Sequence, residues 1–309
     1  MAGQGNSLRA IFFALGANFA IFVAKSVAAA ITGSGAMLAE AVHSLADCGN
    51  QGLLLLGIHQ AKKPPSPDYP LGYGKAVYFW SFLVALMLFS VGGMFSLYEG
   101  IHKLSTGEPL KSPWIAIGVL VFGIIVEGIS MRACMIEVNK ARGGRSLWQW
   151  FRQSRQAELV VIFGEDLAAL LGLVFALFAV GLSMLTGNPI WDAIGTLAIG
   201  VLLIVVAVFI SIEVKAMLIG QSVDSDTRKE MLEYLEQRSE IAQVYNLLTL
   251  QLGNDVMVSV KARMREDTSA NGMIKQINTV EREFRSHFSA VRFSFFEPDN
   301  SDHEEENPQ

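Results

Sequence analysis

MLAEAVHSLADCGNQGLLLLGI, residues 37–58, is a run of 22 residues with the length and apolar character of a membrane-crossing helix, yet it carries Glu40, His43 and Asp47. Crossing the hydrocarbon takes about 20 predominantly apolar residues in a helix. Moving outward, five further runs meet that requirement: Leu8 to Ile31, Val77 to Ile101, Trp114 to Cys134, Leu159 to Leu185 and Ile190 to Leu218. The composition agrees, because 51% hydrophobic against 17% charged residues leaves too few charges for a water-facing surface of this size. The first run is itself long enough to span and is followed by others, so no cleavable leader is expected.

The links between the runs set the expected orientation. Thr32-Gly33-Ser34-Gly35 and Thr186-Gly187-Asn188-Pro189 are short and uncharged, whereas Lys62 to Lys75 and Lys140 to Arg155 are longer and basic. Lys62, Lys63 and Lys75 in one, with Arg132, Lys140, Arg142, Arg145, Arg152 and Arg155 in and around the other, place these links inside. Lys103 and Lys111 oppose that assignment and are outnumbered. Both termini are then cytoplasmic. The basic residues flank apolar segments and form no stripe of their own, which excludes a nucleic-acid surface.

Beyond Leu218 the chain becomes as polar as a soluble domain. Thr227 with Glu230 reads as a capping box that opens a helix. Leu248, Leu250 and Leu252 alternate with polar residues, Gly253-Asn254-Asp255 makes a turn, and Val256, Val258 and Val260 alternate again, as in a hairpin. From about Asn271 the spacing of Ile274, Ile277, Phe284 and Phe288 gives a second helix its apolar face. Val291 to Phe296 completes an αββαβ unit. The expected fold is therefore membrane α-helical with six transmembrane helices, plus a C-terminal α+β (αββαβ) cytoplasmic domain. Its divisions are residues 1–221, residues 222–298, and an acidic, disordered tail over 299–309.

The charges inside the apolar runs carry the functional signal. A charged side chain at the bilayer centre costs roughly 2.5 to 3.5 kcal/mol on insertion scales. His43 and Asp47 are four apart and share one helical face, within reach of a common ion, while Glu165 and Asp166 lie near the start of the fifth run. Imidazole nitrogen with carboxylate oxygen suits zinc in a tetrahedral shell. Asp166 is the favoured third ligand, because Glu165 points about 100° away around the helix. Structural hydrogen bonding between helices is the plain alternative for His43 and Asp47. Asn50, Gln51 and Glu127 are candidates for supporting hydrogen bonds or proton relay, with pairing to Lys25 or Arg132 the favoured reading of Glu127. Asp192 is expected to cap the sixth helix. Cys48 and Cys134 are the only cysteines, so no thiolate cluster and no disulfide framework is available.

Residues 33–47, GSGAMLAEAVHSLAD, with Pro70-Leu71-Gly72-Tyr73-Gly74-Lys75, resemble the cation diffusion facilitator family. Residues 165–172, EDLAALLG, look like the branch that contains the vertebrate mitochondrial zinc exporter. The resemblance implies a homodimeric antiporter that exchanges a divalent metal for protons, with His43, Asp47 and Asp166 as ligands and no cofactor. The family's fifth-span pattern is His-x-x-x-Asp, and Ile162 stands at the His position, which leaves Glu165 or water to complete the shell. Tyr69 and Tyr73 replace accessory histidines of the second link. Phe295 and Phe296 stand where relatives carry metal-binding His, and His287 and His303 are isolated. The expectation is a proton-coupled exporter of zinc, in a lipid bilayer that reads as a bacterial inner membrane. Manganese, cobalt, nickel or iron export remains open beside it. A membrane metal sensor without transport and a metalloenzyme are the rivals from other classes, the latter disfavoured by the lack of any His-Glu-x-x-His motif.

Overall fold

The computed structural model describes residues 4–107, 109–265 and 269–301, with side chains from residue 18 onward. The chain forms two compact units. The first takes in the chain up to Ile58, then Phe79–Arg152 and Ala157–Lys215. The second is built from His59–Tyr78, Gln153–Gln156 and the chain from Ala216.

Helices cover all six apolar runs: α1 (Gln4–Thr32), α2 (Gly35–Ala61), α3 with α4 (Ala76–Met87 and Phe95–Thr106), α5 (Pro113–Arg142), α7 (Ala157–Thr186) and α8 (Ile190–Ile219). Ala76–Thr106, α5, α7 and α8 are long and apolar enough to cross a membrane. The apolar part of α1 within the described side chains, Asn18–Thr32, is shorter, and α2 carries the charges noted above. The protein is an integral multi-pass membrane protein. Large apolar side chains such as Phe178, Ile129 and Leu185 face outward on its long helices, as lipid contact requires.

Each helix end has a local cause. Gly33 (φ 66°) and Gly107 (φ 60°) supply left-handed conformations after α1 and α4. Pro113 opens α5, where its missing N–H is of no consequence. Between α3 and α4 the helix loosens into a π segment, Leu88–Met94, containing Gly92-Gly93. A Cβ on Gly93 would stand 2.6 Å from Ile204 Cγ1, so the segment lies directly against α8. The basic link before α7 holds a short helix, α6 (Leu147–Gln153), which hydropathy alone does not reveal. Ser146 and Gln149 cap it reciprocally: Gln149 N–H donates to Ser146 Oγ (3.2 Å) and Ser146 N–H to Gln149 Oε1 (3.1 Å). Its Trp150 is buried, edge-on to Phe163 at 5.6 Å.

The second unit contains the expected αββαβ order: α9 (Ser225–Glu236), β1 (Ile241–Leu252), β2 (Asp255–Met264), α10 (Ala270–His287) and β3 (Val291–Pro298). The α9 cap is three residues earlier than the Thr227/Glu230 box. Asp224 is the N-cap, accepting from Thr227 N–H (3.2 Å) and Thr227 Oγ1 (2.8 Å). A second acceptor so close upstream extends the helix by one turn. The hairpin closes Leu252 on Asp255 across Gly253 and Asn254, and β3 joins β2 in parallel, giving the order β1-β2-β3. Val256, Val258, Val260 and Ala262 alternate inward against Met231, Leu235, Val280 and Phe284. Each of these valine, leucine, methionine and phenylalanine side chains contributes roughly 1.5–3 kcal/mol when fully buried.

Two attachments complete this unit. Gly253 N–H donates to Tyr78 Oη (2.9 Å), and a Cβ on Gly74 would collide with the Leu252 carbonyl, so the link before α3 lies backbone to backbone on the hairpin turn. Arg155 Nε donates to the Ser222 carbonyl (2.7 Å). At the start of the expected tail, Asp299 accepts from Lys261 Nζ (3.0 Å) and Tyr245 Oη donates to the Asn300 carbonyl (2.9 Å). Residues 302–309, with His303, lie outside the described residues.

Candidate metal site

The helix that bears His43 and Asp47 is fixed at its N-terminus by a carboxylate from elsewhere in the chain. Asp192 accepts from Ser34 Oγ (2.5 Å), Gly35 N–H (2.7 Å) and Ala36 N–H (3.4 Å), and Ser34 Oγ accepts in turn from Met37 N–H (3.2 Å). Asp192 therefore caps α2, not its own helix α8 as its position in the sequence suggests. Asn188 Oδ1 takes the α8 amide instead, accepting from Ile190 N–H at 3.0 Å. Four orphan amides at a buried helix start need acceptors, and a carboxylate there also meets the positive end of the helix dipole. Lys103 Nζ donates to the Gly33 carbonyl and Lys111 N–H to the Thr32 carbonyl (2.7 Å), which closes the other side of this link.

Two turns further along α2, His43 is entirely buried and neither ring nitrogen has a hydrogen-bond partner. Its Nε2 stands 3.7 Å from Asp47 Oδ2, close enough to share an ion and too long for a hydrogen bond. Asp47 Oδ1 is likewise buried without a partner. A buried, unsatisfied imidazole beside a half-buried carboxylate with one unpartnered oxygen costs free energy unless something of opposite character visits. Gly92 of the π segment faces this ring: a Cβ there would stand 3.9 Å from His43 Nδ1. Such segments recur at functional sites.

On α7, Glu165 is buried and accepts from Asn50 Nδ2 at 2.5 Å, which joins it to α2. Asp166 turns toward α5, where Ser130 Oγ donates to its Oδ2 at 3.3 Å. The geometry thus brings His43 to Asp47 and Glu165 to Asn50, while Asp166 hydrogen-bonds Ser130 of α5. Among the described residues no three His, Cys, Asp or Glu side chains stand close enough to hold one ion. Ile162 is exposed, one turn before Asp166. Gln51 Oε1 is buried without a partner. Glu127 is buried, but Lys25 does not serve it. The Lys25 ammonium donates to Glu40 Oε2 (3.0 Å) and Ser44 Oγ (2.8 Å), all three side chains being buried. Glu40 is the polar residue that the sequence displays without assigning; its signal is a carboxylate seven residues, two helical turns, before Asp47 on the same face.

A multi-pass helical bundle lined inside by imidazole, carboxylates and amides, joined to an αββαβ domain, has the features of a membrane cation carrier. The chain belongs to the cation diffusion facilitator family, residues 11–219 matching the cation efflux transmembrane domain. Among its relatives, the proton-coupled zinc antiporter SLC30A9, mitochondrial, of Xenopus laevis is 32% identical over 285 residues, which are 92% of this chain and 50% of that protein. A metal tolerance protein of Arabidopsis thaliana is 29% identical over 93% of this chain and 62% of its own length. The magnetosome protein MamB of Magnetospira is 21% identical over 87% of this chain and 86% of its own. This chain spans about half the length of the vertebrate relatives it matches.

Proposed function

We propose that this protein is a six-span antiporter that exports a divalent transition metal, zinc foremost, from the compartment holding its αββαβ domain, in exchange for protons. The observation that carries the reading is His43: a fully buried imidazole with both nitrogens free of hydrogen bonds, beside Asp47 and inside a lipid-embedded bundle. His43 and Asp47 are the primary ligands. Asp166 and Glu165 complete the shell from α7, and water takes the place that Ile162 leaves. Glu165 already reaches α2 through Asn50, whereas Asp166 is turned to Ser130 of α5, so the ion closes the site by drawing the Asp166 carboxylate from Ser130 to His43 and Asp47. Ligands hold metal only when deprotonated, so protons entering from the far side expel the ion. Asn50, Gln51 and Glu127 support the ligands or relay protons.

Relatives named as a proton-coupled zinc antiporter and a metal tolerance protein support this cargo class. The basic links support cytoplasmic termini, and the setting proposed is a bacterial inner membrane. A homodimer is proposed on the face of the sheet opposite α9 and α10, where Leu248, Ser259 and Phe295 form one row across the strands and both apolar side chains are exposed. The decisive experiment is zinc-dependent proton flux in proteoliposomes. The unmodified chain should exchange the two ions; Asp47→Ala and Asp166→Ala should abolish exchange, and equal rates in all three would overturn the assignment. His43→Asp should shift selectivity from zinc toward manganese.

A further inference from the structure

Five residues on one face of α2 carry buried polar atoms without partners: Gln51 Oε1, Asn50 Oδ1, Asp47 Oδ1, both His43 nitrogens and Glu40 Oε1. Their spacing keeps them on one side of the helix. From Gln51 to Glu40 they extend along about 16 Å of helix, roughly half the hydrocarbon thickness. Unsatisfied acceptors in a low-dielectric interior attract cations, and at the Glu40 end a cation is already in place. The Lys25 ammonium is fully buried, 3.0 Å from Glu40 Oε2 and 2.8 Å from Ser44 Oγ. The other oxygen, Glu40 Oε1, has no donor, and it occupies space that Gly172 of α7 leaves open, since a Cβ there would collide with it. A buried ion pair is a weak source of stability, and apolar side chains of similar volume serve as well or better. Packing alone does not account for one at this point.

We propose that Glu40 is a second cation-binding carboxylate on the path, one helical turn beyond His43, and that Lys25 is its tethered occupant between passages of the divalent ion. The inference rests on the transport reading above. An ion leaving His43 and Asp47 meets the open oxygen of Glu40, and its charge drives the ammonium aside toward Ser44. The ammonium then returns, weakening the hold of Glu40 on the ion and releasing it to the far side. Lys25 thus does for exit what a competing ion in solution would do, at a fixed and high local concentration.

The test is equilibrium zinc binding by the purified full-length chain together with zinc flux in liposomes. Lys25→Met should bind an additional equivalent of zinc and transport about tenfold more slowly or worse, because release is no longer assisted. Lys25→Met with Glu40→Gln should lose that equivalent. The exchanged pair, Lys25→Glu with Glu40→Lys, keeps the internal ion pair and controls for folding; its flux should stay impaired. The proposal is overturned if Lys25→Met binds no more zinc than the unmodified chain, or if the exchanged pair transports normally. Absence of zinc flux in the unmodified chain would instead refute the transport reading, while the zinc count in Lys25→Met would still decide the role of Glu40.

Discussion

Removing the Asp192 carboxylate should loosen α2 rather than the helix on which it resides. The side chain is 2% exposed and accepts from Ser34 Oγ at 2.5 Å and Gly35 N–H at 2.7 Å, with a longer third contact to Ala36 N–H. Hydrogen bonds to a charged group contribute about 1.5–3 kcal/mol each. A carboxylate at a helix N-terminus adds roughly 0.3–1 kcal/mol. The Ser34 hydroxyl can turn to another acceptor, but the Gly35 amide cannot. Asp192→Ala should therefore destabilise the membrane unit by about 3–5 kcal/mol, as for removal of one side of a buried charged contact. Asp192→Asn keeps an acceptor of the same shape and loses the charge, so about 1–2 kcal/mol is expected. Reversible unfolding in mixed micelles measures both. Amide hydrogen exchange locates the loss: protection should fall at Gly35, Ala36 and Met37, whereas Ile190 remains protected by Asn188. An Asp192→Ala chain within about 0.5 kcal/mol of the unmodified one, or fraying confined to the first turn of α8, would refute the reasoning.

Gly74→Ala should force the hairpin turn off the link before α3, at about 1–3 kcal/mol as for other overpacking changes, and raise protease cutting at Asn254; unchanged digestion would contradict the close approach. Trp150→Ala should remove the anchor of α6 and lower stability by about 3–5 kcal/mol, read as the loss of the ring contact with Phe163 in near-ultraviolet circular dichroism. The hydrogen bond from Lys261 holds the Asp299 carboxyl below its usual range. A carboxyl with a depressed folded pKa supports the fold above its unfolded pKa and loses that support as pH falls through the folded value. The Asp299–Lys261 attachment should accordingly persist at neutral pH and open only in acid below the ordinary carboxylate range. Nuclear magnetic resonance titration of the Asp299 side chain follows it directly, and a midpoint at or above that range would contradict the geometry.

The parts of this fold that depend on nearest neighbours are readable from residue order. Every expected apolar run lies within a helix, because the length and hydropathy of a run are local properties. The αββαβ order follows for the same reason from period-two and period-3.6 spacing around Gly253-Asn254. What fails is decided by distant partners. Asp192 looks like a cap for α8 until Ser34 and Gly35, 157 residues away for the latter, are brought to it by packing. Thr227 with Glu230 has the spacing of a capping box, yet Asp224 just upstream supplies two acceptor oxygens and wins. Helix α6 is too short for hydropathy to register among basic residues, though Ser146, Gln149 and the aromatic residues after them mark it. At the site, the alignment of His43 with Asp47 is a helical property and legible. The turning of Asp166 to Ser130 and of Glu165 to Asn50 depends on how three helices meet. The pairing of Lys25 with Glu40 is equally non-local, and it redirects the positive charge that the sequence offers to Glu127.

The docking of Gly74 and Tyr78 on the hairpin turn bears on how the αββαβ part can be isolated. A fragment cut after α8 retains both helices and the whole sheet but discards the phenol that holds the Gly253 amide and the glycine backbone that lies on Leu252. Its hairpin tip would be newly wetted and looser than in the intact chain. Supplying residues 59–78 as a separate peptide should restore the tip, because the surface it rests on belongs to the excised piece.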